Sequence, residues 1–213
     1  MLGKTNTPEF GAGANTFNAV FGATRNPWNT ALTSGGSTGG GAVALATGMG
    51  PLAQGSDLGG SLRIPAAFCG GVGLWPSPGL VPVYPLVTAW DSYSVQGPMA
   101  RTVADLALML QAIAGPDPRS PISYPVDRRT FTAAVRRPTL RGARIAWSAD
   151  LGITPVDDEI RRVAFGATAV LRGLGARVDE AHPDFAGCWI SCSPAAASAW
   201  SRAIRTTCRS GGT

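Results

Sequence analysis

At 213 residues, with 45% apolar and 15% charged residues and a mean hydropathy of +0.11, the chain has material for one buried core, as a single domain or as a piece of a larger one. It holds no run of about 18 uninterrupted apolar residues, and its opening, MLGKTNTPEF, lacks a charged stretch followed by an apolar one. Neither a membrane span nor a secretory leader is therefore expected, and the cytoplasm is the expected location. The net charge of +5 does not point to nucleic acid, because the arginines stand as scattered pairs, Arg128-Arg129, Arg136-Arg137 and Arg161-Arg162, with no aromatic residues between them. Cys69, Cys188, Cys192 and Cys208, with His182 as the one histidine, give neither a zinc spacing nor a disulfide framework, so no metal and no cofactor is expected.

In chain order, the first strong signal is glycine: residues 35 to 79 hold 14 of the 28, which marks a place where backbone passes close to something. AVALA at 42–46, after GGSTGGG, reads as the start of a buried helix that ends near Gly48–Pro51, with Ser37 at or just before its N-terminus. RTVADLALMLQAIAGPDP has Val103, Leu106, Leu110 and Ile113 at helical spacing. A Thr102-x-x-Asp105 start resembles a capping box, and Gly115-Pro116 is the stop. ARIAW at 143–147 reads as a short strand. Residues 157–174 carry Ile160, Val163, Ala167, Val170, Leu171 and Leu174 at helical spacing, and ARV follows Gly175; strand, helix, strand argues for a parallel α/β arrangement. From Cys188 onward acidic residues stop and neither periodicity persists, so 188–213 is expected to be a non-native or disordered tail.

Three chemistries compete for the glycine-rich stretch. GGSTG at 35–39 satisfies the G-x-S-x-G nucleophile elbow, but that elbow needs a buried strand before its serine, and NPWNTALTS is polar and Pro-broken. A phosphate cradle needs a G-K-[ST] lysine, and the only lysine is Lys4. The third reading joins GGSTGG to QGSDLGGSLRIP, with Ser61 lying 24 positions after Ser37. Successive N–H groups of Leu58, Gly59, Gly60 and Ser61 form a concavity for the oxyanion made when the Ser61 hydroxyl attacks an acyl carbon, and glycine keeps side chains out of the carbonyl's path. Asp57 and Arg63 read as hydrogen-bonding partners that fix this loop. Phe68, Trp90 and Tyr93 read as core residues ahead of an acyl-pocket lining.

The span GGSTGGGAVALATGMGPLAQGSDLGGSLRIPAAFCGGVGLWPSPGLVP resembles the signature stretch of the amidase signature family, serine hydrolases with a Ser–cis-Ser–Lys triad. GKTNTPEFGAGANTFNAVFGATRNPWN before it and DSYSVQGPMARTVADLALMLQAIAGPDP after it resemble family segments too, which extends the likeness over about residues 1–187. The resemblance implies an α/β fold with a mixed twisted sheet surrounded by helices, present here in part as one partial amidase domain over 1–187. It implies Ser61 as acyl-forming nucleophile, Ser37 as bridging serine behind a cis peptide at Gly36, and the backbone of Leu58, Gly59 and Gly60 to Ser61 as oxyanion hole. The implied reaction is hydrolysis of a small-molecule carboxamide, with a homodimeric full-length form; the alternatives are a catalytically silent fragment and the amidase-type subunit of a glutamyl-tRNA amidotransferase. The family lysine belongs to a V-K-D-type segment upstream of GKTN. Lys4 is not assigned that role, and the chain is expected to be an incomplete copy whose triad lacks its base and whose apolar faces and sheet edges lie uncovered.

Overall fold

The computed structural model describes residues 2–136 and 139–185, so the expected tail at 188–213 lies outside the described residues. The chain divides into two compact units, Met1–Arg136 and Arg137–Thr213.

In the first unit, a 3-10 turn at Glu9–Gly11 leads to a small hairpin of β1 (Phe17–Asn18) and β2 (Gly22–Ala23), paired Phe17 with Ala23 and Asn18 with Gly22. The Asn18 side chain accepts from the N–H groups of Val20 and Phe21, which closes the turn, and donates to the Asn6 side chain and the Thr7 carbonyl, which ties the hairpin to the preceding segment. Helix α1 (Gly39–Ala46) precedes β3 (Leu52–Asp57), α2 (Arg63–Cys69) and β4 (Val72–Gly73). After a long connection come β5 (Val95–Ala100), α3 (Val103–Ile113) and α4 (Arg129–Arg136). Strand β5 is central in an antiparallel sheet ordered β3-β5-β4, with Asp57 opposite Val95 and Leu52 opposite Ala100.

Helix α1 starts at Gly39, three residues ahead of AVALA. Its first turn consists of glycines because other chain segments lie against it: a Cβ on Gly40 would strike the Asn6 backbone, and one on Gly39 the Thr16 and Ser34 side chains. Close approach of the 6–16 segment thus overrides the poor helix propensity of glycine. Behind α1, one core cluster gathers Ala42, Leu45, Leu62, Ala66, Cys69 and Met99, drawn from α1, α2, the turn before it and β5. A second gathers Leu80, Val81, Leu110 and Ala114 under α3. That helix has the expected cap: the Thr102 hydroxyl accepts from the Asp105 N–H at 3.1 Å and donates to its carboxylate at 2.8 Å.

The second unit holds β6 (Arg144–Trp147), α5 (Asp158–Gly173) and β7 (Arg177–Glu180), and the two strands are parallel, as strand-helix-strand order requires. Parallel and antiparallel pairings therefore both occur, in separate sheets. The α5 period is as expected, but the apolar stripe is not its buried face. Thr168 is its buried residue, whereas Ile160, Val163 and Val170 are more than 60% exposed. Phe68, Trp90 and Tyr93, expected in the core, are also exposed: the first lies at the end of α2 and the others in the 74–94 connection, where none of the described residues covers them.

Met99 is fully buried at the centre of the three-stranded sheet, in contact with both glycine-loop helices. Met99→Ala is expected to cost about 3 kcal/mol in a urea titration of the first unit's transition. A loss below about 1 kcal/mol would mean that this sheet does not share a core with α1 and α2.

Candidate active site

Strand β3 ends at Asp57, and the chain then turns through Leu58–Leu62 into α2. The Asp57 carboxylate is fully buried and organises that turn. One oxygen accepts from the Gly60 N–H at 2.7 Å and from Arg63 Nη2 at 2.9 Å; the other accepts from the N–H groups of Leu62 (3.1 Å) and Arg63 (3.3 Å) and from Arg63 Nε at 3.0 Å. Burial by itself pushes this carboxyl up. The hydrogen bonds from Arg63, Gly60 and Leu62, together with the guanidinium charge, outweigh that and hold it below the usual carboxylate range. The same pairing raises the Arg63 guanidinium, whose side chain is otherwise about half exposed. Asp57 and Arg63 thus do what the sequence suggested, fixing the loop.

Gly60 takes φ = +118°, a conformation that residues with a Cβ rarely adopt, and Ile64 fills the space beside it. Gly59 is different: a Cβ there would meet nothing within 4 Å. The fold places no demand on that position, and the missing side chain leaves open space one residue from Gly60 and two from the Ser61 hydroxyl.

Ser61 and Ser37 are brought together by backbone. The Thr38 N–H donates to the Ser61 carbonyl at 3.2 Å, tying the turn before α1 to the turn before α2. The Gly36–Ser37 peptide is cis, as the resemblance implied. Ser37 is 3% exposed and Ser61 half-buried. The hydrogen bonds of the described residues include none from either hydroxyl, so both are uncommitted within the described structure.

Of the four N–H groups expected to form an oxyanion hole, that of Gly60 donates to Asp57 at 2.7 Å, whereas those of Leu58, Gly59 and Ser61 carry no hydrogen bond among the described residues. The sequence shows an acidic residue three positions ahead of Gly60 but not which amide it captures. Of the other candidates, Lys4 is exposed, and His182 is exposed with Nδ1 2.8 Å from the Pro183 carbonyl oxygen. GGSTG follows no strand, which removes the nucleophile-elbow geometry. Among the described residues no three His, Cys, Asp or Glu side chains group as a metal site, and no helix is long and apolar enough to cross a membrane. Thr16, which nothing in GAGANTFNAV marks out, has its buried hydroxyl 2.9 Å from the Gly35 carbonyl, beside the Ser37 turn.

The model of the Amidase family matches residues 1–205. The acylamidase of Rhodococcus erythropolis is 44% identical over 185 residues, covering 87% of this chain and 39% of the relative. A glutamyl-tRNA(Gln) amidotransferase subunit from Thermosynechococcus vestitus is 46% identical over 180 residues, covering 84% and 37%. The chain thus spans about two fifths of the length of the curated relatives it matches. Among solved structures, a bacterial aryl acylamidase of the amidase signature family superposes with TM-score 0.79 at 38% identity, covering 84% of this chain and 37% of that one. The corresponding glutamyl-tRNA(Gln) amidotransferase subunit from Thermotoga maritima gives 0.81 at 32%, covering 98% and 48%.

Removal of Asp57 strands three backbone donors and one guanidinium. Asp57→Ala is expected to cost about 3 kcal/mol or more in thermal or denaturant unfolding, and Arg63→Ala, at an exposed group, about half as much. Because the folded carboxyl is depressed, its contribution is complete above the unfolded pKa of about 3.9 and is lost as pH falls through the lower folded value. Stability measured from pH 5 down to pH 2 should therefore decline less steeply in Asp57→Asn than in the parent chain; identical slopes would detach Asp57 from acid unfolding.

Proposed function

The chain belongs to the amidase family, and from that premise we propose that it supplies the nucleophile, the relay and the oxyanion-binding turn of an enzyme that hydrolyses a carboxamide C–N bond through a serine acyl-enzyme. The observation that carries the reading is the pairing of two unengaged hydroxyls, Ser61 and buried Ser37, on turns joined by the Thr38–Ser61 hydrogen bond.

The chemistry follows from the positions. Ser61 Oγ attacks the carbonyl carbon as its proton passes to Ser37, whose own proton goes to a basic group; the family resemblance makes that group a neutral lysine, and Lys4 is not assigned the role. Negative charge then develops on the carbonyl oxygen, where the N–H groups of Leu58, Gly59 and Ser61 are free to meet it, with the open face of Gly59 admitting the substrate. Collapse breaks the C–N bond, the proton returns through Ser37 to the departing nitrogen, and ammonia or an amine leaves. Water repeats the sequence on the acyl-Ser61 ester and releases the acid. Asp57 never touches the substrate; it keeps the turn in the shape this requires. The proposal takes residues 1–187 as part of one amidase domain, in a cytoplasmic enzyme acting on a small-molecule amide.

A second reading, as one component of a glutamyl-tRNA amidotransferase, has the support of the amidotransferase relatives and of the 98% of this chain that the Thermotoga maritima structure covers. Glutaminase activity that appears only with a partner protein would favour it; amide hydrolysis by the chain's own gene product, with no partner, favours the amidase.

In protein expressed from the complete coding sequence, Ser61→Ala is expected to lower amide hydrolysis about a thousandfold or more and Ser37→Ala about a hundredfold or more, with both variants folded. Near-normal turnover by Ser61→Ala would remove that residue from the chemistry.

A further inference from the structure

We infer that Thr16 is a positioning residue for the relay serine, an inference that rests on the serine-hydrolase reading above. Thr16 lies 21 residues before Ser37, in the segment entering β1, and is 2% exposed. Its hydroxyl is the meeting point of three backbone groups around the relay. It is 2.9 Å from the Gly35 carbonyl oxygen and 3.3 Å from the Ser37 carbonyl oxygen, and it accepts from the Gly39 N–H at 3.0 Å.

A hydroxyl has one proton to donate and lone pairs to accept with, so this one ties the residue before the Gly36–Ser37 peptide, Ser37 itself and the first amide of α1 to one atom. Gly39 makes the approach feasible, since a Cβ there would collide with the Thr16 side chain. On its other flank the same turn is held by the Thr38 N–H on the Ser61 carbonyl. Ser37 is therefore gripped from two sides: one contact sets its distance to the nucleophile's loop, and the Thr16 hydroxyl sets the orientation of its peptide. Ser37 Oγ makes no hydrogen bond among the described residues that could fix it independently, so its aim depends on backbone held from outside. A proton relay loses rate when a donor or acceptor shifts by a fraction of an ångström, whereas amide binding at the Ser61 turn does not depend on Ser37.

The prediction is a split between kinetic constants. In protein from the complete coding sequence, Thr16→Val, which replaces the hydroxyl with a methyl of similar size, should lower kcat at least tenfold and leave KM within about twofold. Thr16→Ser, which keeps the hydroxyl, should retain kcat within about threefold. Thr16→Ala serves in place of Thr16→Val if the latter is insoluble. Rates are normalised to folded protein by circular dichroism, and Ser61→Ala is the reference. A hydroxyl-free variant with unchanged kcat, or Thr16→Ser as impaired as Thr16→Val, overturns the positioning role while leaving the serine mechanism intact. Undiminished turnover by Ser61→Ala overturns the mechanism and this inference with it.

Discussion

The turn that carries Ser61 depends on one buried carboxylate. Asp57 gives up all contact with water and in return gathers the amides of Gly60, Leu62 and Arg63 and the Arg63 guanidinium. A buried carboxylate with fewer partners would be protonated or would destabilise the fold. With these partners it stays ionised and forces the chain after β3 into one conformation. That conformation sorts the turn's amides into two sets: inward ones spent on Asp57, and those of Leu58, Gly59 and Ser61, left free of hydrogen bonds within the described structure.

The second constraint is contact between backbones. Two turns, each ahead of a short helix, are joined by one N–H to carbonyl link between Thr38 and Ser61, and both helices bury side chains against Met99 of the central strand. Packing of α1 and α2 on the sheet is thus what keeps the Ser37 and Ser61 turns together, so fold stability and the geometry of the candidate site draw on the same core. The glycines divide by cause along this path. Gly39 and Gly40 admit the 6–16 segment, Gly60 admits a positive φ, and Gly59 is left with open space beside it.

Much of this was legible in the sequence where local chemistry decides. The Thr102 cap, the strand-helix-strand order of the second unit, and the Asp57–Arg63 pairing all follow from short patterns whose meaning does not depend on distant neighbours. What was illegible depends on the partner. The apolar stripe of α5 signals a helix but not which side of it is covered, and Phe68, Trp90 and Tyr93 carry no mark that distinguishes an exposed aromatic from a core one. The Gly60 N–H was hidden for a related reason: a run of amides in sequence does not say which of them an acidic neighbour will bind, and here Asp57 accepts from Gly60. Thr16 was invisible because its role lies in contacts 19 to 23 residues away.

The central claim is that Ser61 becomes acylated in a turn whose free amides face the reacting carbonyl. Its most direct test is a crystal structure of the protein from the complete coding sequence after reaction with an organophosphonate. The account predicts a covalent bond from Ser61 Oγ to phosphorus, with a phosphonyl oxygen about 2.7–3.1 Å from the N–H nitrogens of Leu58, Gly59 or Ser61 and the Gly60 N–H still on Asp57. An adduct on another residue, or one at Ser61 whose oxygen turns away from those amides, would contradict it.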